Sequence, residues 1–341
     1  MTARVVRRVP LALVLAIQVV IALVLAEGLL LAMYHHPAAW YPAGLRRFLT
    51  TEYFTRRRIV QLDDVHARYD PELVYTLQPG AFMFSNIEFS TQFVVNSLGV
   101  RDNQRSLTQP EIVVAGDSSA MGWGVQQEET FPELIEQRTG RRVLNTAVAS
   151  YGTVRERRLL DRVDLSRTTT LVIQYDPNDF AENDEFFKQG NQYKASSREV
   201  WQAAIAQQRR GERYWPFRMV YDALVWIKRG ITGRRQGGYE PLSYPPDTAA
   251  ERFINALVHA SARDLSAIQV IVFDVDPNPA FIRALDAARQ NATHPPYIRN
   301  LRVVDLSGKL GAEQHYVLDD HLNARGHATI AGVLAAALDG K

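Results

Sequence analysis

Apolar residues in this chain follow three successive patterns. From Val9 to Met33 the run VPLALVLAIQVVIALVLAEGLLLAM is apolar except for Gln18 and Glu27, enough for a membrane-spanning helix, which needs about 20 such residues. Next, YDPELVYTLQPGAFMFSNIEFSTQFVVNSLGVRDN carries short alternating runs broken at Pro79-Gly80 and at Asn96 to Gly99, which predicts a small β-rich lead-in over 67–110. From residue 111 the texture changes to β-branched runs, EIVVAG, RRVLNTAV, TTLVIQYD, IQVIVFDVD and LRVVDL, with helical periodicities between them. Two such helices are EETFPELIEQRTG, with Thr130 placed as a cap, and NARGHATIAGVLAAAL. Strands alternating with helices predict an α/β fold with a parallel sheet covered on both faces.

Residues 182–250 break that alternation. Between Tyr193 and Arg235 stand ten Lys or Arg against three acids, and WPFRMVYDALVWIKR puts Phe217, Val220, Tyr221, Leu224 and Ile227 at helical spacing. The segment reads as a basic, partly amphipathic helical insertion. Two roles stay open for it: a helical pair packed on the sheet with its charged face in water, or a lid or surface meeting anionic lipid or polysaccharide. The organisation expected is a tail and transmembrane helix over 1–34, a juxtamembrane connector over 35–66, the lead-in over 67–110 and an α/β domain over 111–341 containing the insertion.

Arg4, Arg7 and Arg8 precede the apolar run. A cleavable signal peptide is the rival reading, since Val24-Leu25-Ala26 offers small residues to a peptidase. Cutting there would leave EGLLLAM exposed, so an uncut anchor is expected. Counted from Val9, Glu27 falls near the far headgroup boundary, solvated or snorkelling. The basic tail favours the cytoplasm, which places the rest of the chain outside. Arg46, Arg47 and Arg56 to Arg58, just beyond the helix, pull the other way and keep a cytoplasmic domain as the alternative. Tyr34, Trp40 and Tyr41 suit an interfacial aromatic belt.

The composition, 46% hydrophobic and 22% charged over 341 residues, is that of a folded protein. A net charge of +2, with no basic stretch interleaved with aromatics, gives no reason to expect a nucleic-acid partner. With no cysteine in the chain, disulfides, thiolate metal sites and cysteine nucleophiles are excluded, and the redox compartment stays open. His35-His36 lacks acid or histidine partners at ligand spacing and reads as a wetted juxtamembrane pair.

In open α/β sheets the chemistry gathers outside the carboxyl ends of the strands. The first such end, IVVAGDSSAMGWGV, presents Ser118, which is a weak nucleophile unless a base takes its proton. After the second strand, VLNTAVASYGT offers a tight turn from Ser150 to Gly152 whose N–H groups suit a developing oxyanion. After the third, IQYDPNDF presents the Asn178 amide as a further donor. Before the last helix, LDDHLNARGH supplies His321 with Asp319 and Asp320 just upstream. Gly122 and Gly124 lack the order of a dinucleotide fingerprint and read as permitting close approach of the first helix. Asp117 and Asp179 read as turn-fixing acceptors, and His327 as a packing residue at a helix start.

Together GDSSAMGWGV, NTAVASYGT, PNDF and DDHLNARGH resemble the four sequence blocks of the SGNH (GDSL-type) hydrolases, in family order, with VNSLGVRD as lead-in and a span of about residues 94–338. The resemblance implies a flavodoxin-like three-layer α/β/α sandwich. It also implies acyl-ester hydrolysis or transfer on carbohydrates, lipids or small esters, with no metal or other cofactor. Ser118 would be the nucleophile and His321 the general base, then acid, oriented by Asp319 or, as second choice, Asp320. The Ser118 N–H, an N–H of Ser150 or Gly152, and the Asn178 side chain would hold the oxyanion. Two positions depart from the family: Leu318 stands three before the histidine, where the acid is usual, and Ser150 stands where a glycine is expected.

The expected function is that of a membrane-anchored serine hydrolase deacetylating a carbohydrate or other cell-envelope ester, in the periplasm or outside the cell. An O-acyltransferase acting on an envelope polysaccharide with the same residues is the alternative, and a catalytically idle assembly partner the second. Expected partners are an acyl ester or glycan, the membrane through the N-terminal helix, and cell-envelope proteins.

Overall fold

The computed structural model describes residues 10–233, 244–275 and 279–340. Arg4, Arg7, Arg8 and Val9 of the expected tail and span, and Arg234 and Arg235 of the insertion, lie outside them. Two units are distinguished: residues up to 56 together with 211–233, and residues 57–210 together with those from 244 onward.

The first unit holds α1 (Leu11–His35), α2 (Ala43–Arg56) and α8 (Arg218–Ile231). α1 is long and apolar enough to cross a membrane, and a signal sequence has the same properties. Its one acid corrects an expectation. Glu27 is neither solvated nor snorkelling: it is 6% exposed and accepts hydrogen bonds from Tyr214 Oη (2.7 Å) and from the N–H groups of Met219 (3.3 Å) and Val220 (2.9 Å). The first N–H groups of a helix have no intrahelical acceptor, and at the start of α8 a carboxylate from α1 satisfies two of them. The expected connector over 35–66 contains the whole of α2, which buries Phe48, Leu49 and Tyr53.

The second unit opens on two antiparallel hairpins, β1 (Ala67–Asp70) with β2 (Val74–Leu77) and β3 (Gly80–Asn86) with β4 (Phe89–Val95). A five-stranded sheet follows, made of β5 (Ile112–Ala115), β6 (Val143–Asn145), β7 (Thr170–Tyr175), β8 (Gln269–Asp274) and β9 (Arg302–Val304). It is parallel throughout, in the order β6-β5-β7-β8-β9, the flavodoxin-like order 2-1-3-4-5. The β-branched runs are explained by burial on both faces. Val113, Ala115, Leu171, Ile173, Val270 and Val272 share one apolar cluster with α5 (Thr153–Leu159), α7 (Arg198–Glu212), α9 (Pro246–His259) and α10 (Ala280–Ala288). Ile112, Val114, Val172, Ile271 and Phe273 share the other with α4 (Phe131–Thr139), α12 (Ala324–Leu338) and the hairpin aromatics Phe84 and Phe93. The result is a three-layer α/β/α sandwich. The short helices α3 (Ser118–Met121) and α11 (Pro296–Arg299), and α6 (Asp179–Lys188), complete it.

The insertion expected over 182–250 is narrower than its sequence suggests. α6 begins before it and packs on α9, and α9 buries Ala249, Phe253, Ile254 and Leu257 in the core. Pro246 lies in the first turn of α9, where proline's missing N–H costs nothing. α7 joins the same core through Trp201 and Ile205. Only the stretch containing α8 leaves the sandwich unit.

Candidate active site

With strand order 2-1-3-4-5, the topological switch falls between β5 and β7, and a crevice opens beyond their carboxyl ends. Ser118 follows β5 as the first residue of α3, and Asn178 follows β7 just before α6. Asp117 caps α3 by accepting the Ser119 N–H at 3.0 Å, the turn-fixing role its sequence suggests. Its other carboxylate oxygen accepts from Asn178 Nδ2 at 2.8 Å and lies 3.4 Å from Ser118 Oγ. One N–H of the Asn178 amide is therefore engaged, and a second is left for a ligand.

The loop before α12 brings the base to the nucleophile. His321 Nε2 lies 2.7 Å from Ser118 Oγ, across 203 residues of chain. On its far side Nδ1 is hydrogen-bonded to Asp319 Oδ1, and Asp320 Oδ1 stands 3.2 Å from the same nitrogen. Asp319 is the buried acid of the two and Asp320 is exposed. The spacing shift from three residues to two is absorbed by a turn in which Asp319 Oδ1 also accepts the His321 backbone N–H at 3.0 Å. Burial lowers the affinity of the imidazole for a proton, but the Asp319 and Asp320 carboxylates outweigh it and push the His321 pKa up to about 10. The same three residues offer ligand atoms within 4.8 Å of one another, but both ring nitrogens of His321 are already engaged, to Asp319 and to Ser118.

The second-block turn is held from several sides. Ser150 adopts φ +59°, the left-handed region in which glycine is at ease and other residues are strained by roughly 1 kcal/mol. The departure from glycine therefore keeps the backbone shape, and Gln61 Nε2 donates to Ser150 Oγ at 2.9 Å. Gly152 is buried at the start of α5, and a Cβ there would meet the Glu182 side chain at 3.0 Å.

Several residues around the site escape sequence reasoning. Trp123 donates from Nε1 to Asp319 Oδ2 at 3.0 Å and stacks on the His321 ring with centroids 5.0 Å apart. Gly122 and Gly124 take φ +87° and +81°. They turn the chain sharply on both sides of Trp123, and a Cβ on Gly122 would clash with Thr130 Cγ2. Arg57 lies 3.6 Å from Asp319 and 3.3 Å from Asp320. Glu88, at the turn of the β3–β4 hairpin, accepts the N–H groups of Val317 (2.7 Å), Leu318 (2.8 Å) and Asp319 (2.8 Å). Glu88→Ala is expected to lower kcat of an ester substrate by about 10- to 100-fold with little change in KM, because the acid and base would lose fixed geometry. Steady-state kinetics on the variant checks it.

Two other acceptors differ in detail from expectation. Asp179 is fully buried, accepts from Thr153 Oγ1 at 3.2 Å and fixes no turn. Thr130 stands at the N-cap of α4, but its hydroxyl donates to Gln127 O at 2.9 Å and makes no cap bond. His327 accepts the Phe131 N–H at 3.1 Å, and burial holds its pKa down at about 3. It is a neutral packing group.

No protein-family model matches the sequence, and no curated protein matches it. Among solved structures the chain is similar to a carbohydrate esterase family 2 enzyme with a carbohydrate-binding domain from Corynascus thermopiles (14% identity, 68% of this chain and 67% of that chain, TM-score 0.40). It is similar to a GDSL-like lipase from Bacteroides thetaiotaomicron (12% identity, 70% and 91%, TM-score 0.33). A third is phospholipase A1 from Streptomyces albidoflavus (13% identity, 69% and 100%, TM-score 0.34). At these values the function rests on the site and on the four sequence blocks.

Proposed function

We propose that this chain is an SGNH-type serine acyl-ester hydrolase, anchored in the membrane by α1 with the sandwich unit on the periplasmic or extracellular side, and that it removes acyl groups from a carbohydrate or other cell-envelope ester. The observation that carries the reading is the continuous hydrogen-bonded line Ser118–His321–Asp319 at the switch point of the sheet. Ser118 Oγ attacks the acyl carbonyl carbon and its proton passes to His321 Nε2. The imidazolium then returns that proton to the leaving alkoxide, and an acyl group remains on Ser118. Water, deprotonated by the same nitrogen, releases the acid. The Ser118 N–H and the second Asn178 amide N–H serve the oxyanion. The left-handed Ser150 supplies the third donor in preference to Gly152, whose α-carbon faces the Glu182 carboxylate.

An active-serine fluorophosphonate probe is expected to leave its adduct on Ser118, read by peptide mass. Lack of labelling in folded protein would instead favour an idle assembly partner. Supplying an acetyl donor with a glycan and quantifying both products separates hydrolysis from transfer: free acetate in excess supports the hydrolase, acetylated glycan the acyltransferase. A C-terminal reporter active only outside the cytoplasm tests the orientation.

The base acts only when neutral, so the raised His321 pKa has a kinetic consequence. As pH rises toward about 10 the neutral fraction grows, and kcat/KM is expected to rise with it. Asp320→Asn removes one of the two carboxylates that hold the proton on the ring. The ascending limb is expected to move to lower pH, by on the order of one unit. A limb that stays in place would assign it to another group.

A further inference from the structure

Two helices of the first unit, α8 and α1, have their polarity reversed. The side of α8 turned toward α2 carries Arg218, Asp222 and Trp226. Arg56 and Arg218 each lie 3.4 Å from Asp222, and the Trp226 ring meets Phe48 edge-on at 6.1 Å. The opposite side carries Tyr221 (56% exposed), Leu224 (60%), Ile227 (50%) and Ile231 (81%). An amphipathic helix on a water-soluble protein presents the opposite face to solvent. α1 shows the same inversion, with Val19, Val20, Ile21 and Val24 more than half exposed and its single acid buried.

We propose that α8 is a second membrane element, lying in the headgroup–acyl boundary of the leaflet where α1 ends, with the Leu224–Ile227–Ile231 stripe in the lipid. The proposal rests on the reading of α1 as a membrane span. Three observations select a bilayer as the occupant. The stripe continues the exposed apolar surface of α1, because the Glu27 carboxylate ties the first turn of α8 to that helix. Glu27 is 16 residues beyond Leu11, about 24 Å along the axis, and so falls close to the far edge of a hydrocarbon layer of about 30 Å. α8, with 14 residues, is about 21 Å long, too short to cross that layer and suited to lying along its edge. Beside the stripe stand the exposed aromatics Tyr214, Trp215 and Phe217 and the exposed cations Lys228 and Arg229. This is the pairing of amphipathic rings and basic groups that favours an anionic interface.

Because the chain has no cysteine, each engineered thiol is unique. The full chain carrying Leu224→Cys or Ile227→Cys is labelled with an environment-sensitive fluorophore and reconstituted in phosphatidylcholine vesicles containing phosphatidylglycerol. Val19→Cys reports on α1, and Ser166→Cys, exposed in the sandwich unit, reports on water. Labels at 224 and 227 are expected to emit to the blue of the label at 166, to be quenched by shallow doxyl lipid and to be shielded from iodide. If position 19 is lipid-quenched while 224 and 227 stay open to iodide, the proposal falls and the membrane span stands. If position 19 also stays open to iodide, the span reading fails and takes the proposal with it. Cross-linking of Leu224→Cys chains to one another, with no quenching by doxyl lipid, would assign the stripe to a second copy and overturn the proposal.

Discussion

Turnover of a short-chain aryl ester by the Ser118→Ala variant is expected to fall by about 10⁴-fold or more, the scale on which removal of a triad nucleophile acts. Stability should barely change. The residue is half-buried, the ring keeps its bond to Asp319 when the one to Ser118 Oγ is lost, and a single such bond contributes about 1 kcal/mol net. The measurement is therefore kcat/KM together with a denaturation midpoint. Full activity with an unchanged midpoint would remove Ser118 from the chemistry.

The second large effect separates the two acids. Asp319→Asn is expected to cost about 10⁴-fold in kcat, whereas Asp320→Asn mainly moves the pH limb. Both Asp319 oxygens act only as acceptors: Oδ1 takes the backbone and ring N–H of His321, and Oδ2 takes the Trp123 indole N–H at 3.0 Å. An asparagine must put its NH₂ against one of those donors. It either repels the imidazole, and with it the tautomer that leaves Nε2 free to accept a proton, or releases Trp123 from the ring it stacks on. Asp320, 3.3 Å from Arg57 and 3.2 Å from the ring nitrogen, is the exposed acid of the pair and has solvent to take up a displaced amide. Comparable losses in the two variants would refute the assignment of Asp319 as the orienting acid.

What the sequence made legible follows from range. The five strands of the sheet are visible because burial on both faces forces continuous β-branched runs, a local signature. Ser118, Asn178 and His321 are visible because each follows a strand or precedes a helix in a short distinctive block. Glu88 and Trp123 are not, since their partners lie 229 to 231 and 196 residues away and no spacing encodes such a pairing. The environment of Glu27 is hidden for the same reason. Surrounded by apolar neighbours it reads as an acid seeking water, and its actual donors lie 187 to 193 residues downstream. The left-handed turn at Ser150 illustrates the reverse: a residue that breaks a motif by identity preserves it by backbone angle.

The Glu88 contact also sets an order of events. The acid and base sit on a loop that folds onto a hairpin from the first third of the chain, so the sheet can form before the machinery is aligned. Closing a loop of more than 200 residues is entropically slow relative to pairing neighbouring strands. A refolding chain should therefore regain its sheet signature, read by far-ultraviolet dichroism, ahead of its reactivity toward the fluorophosphonate probe. A nascent chain is in the same position, reaching catalytic competence only after His321 has been synthesised and its loop has met the hairpin.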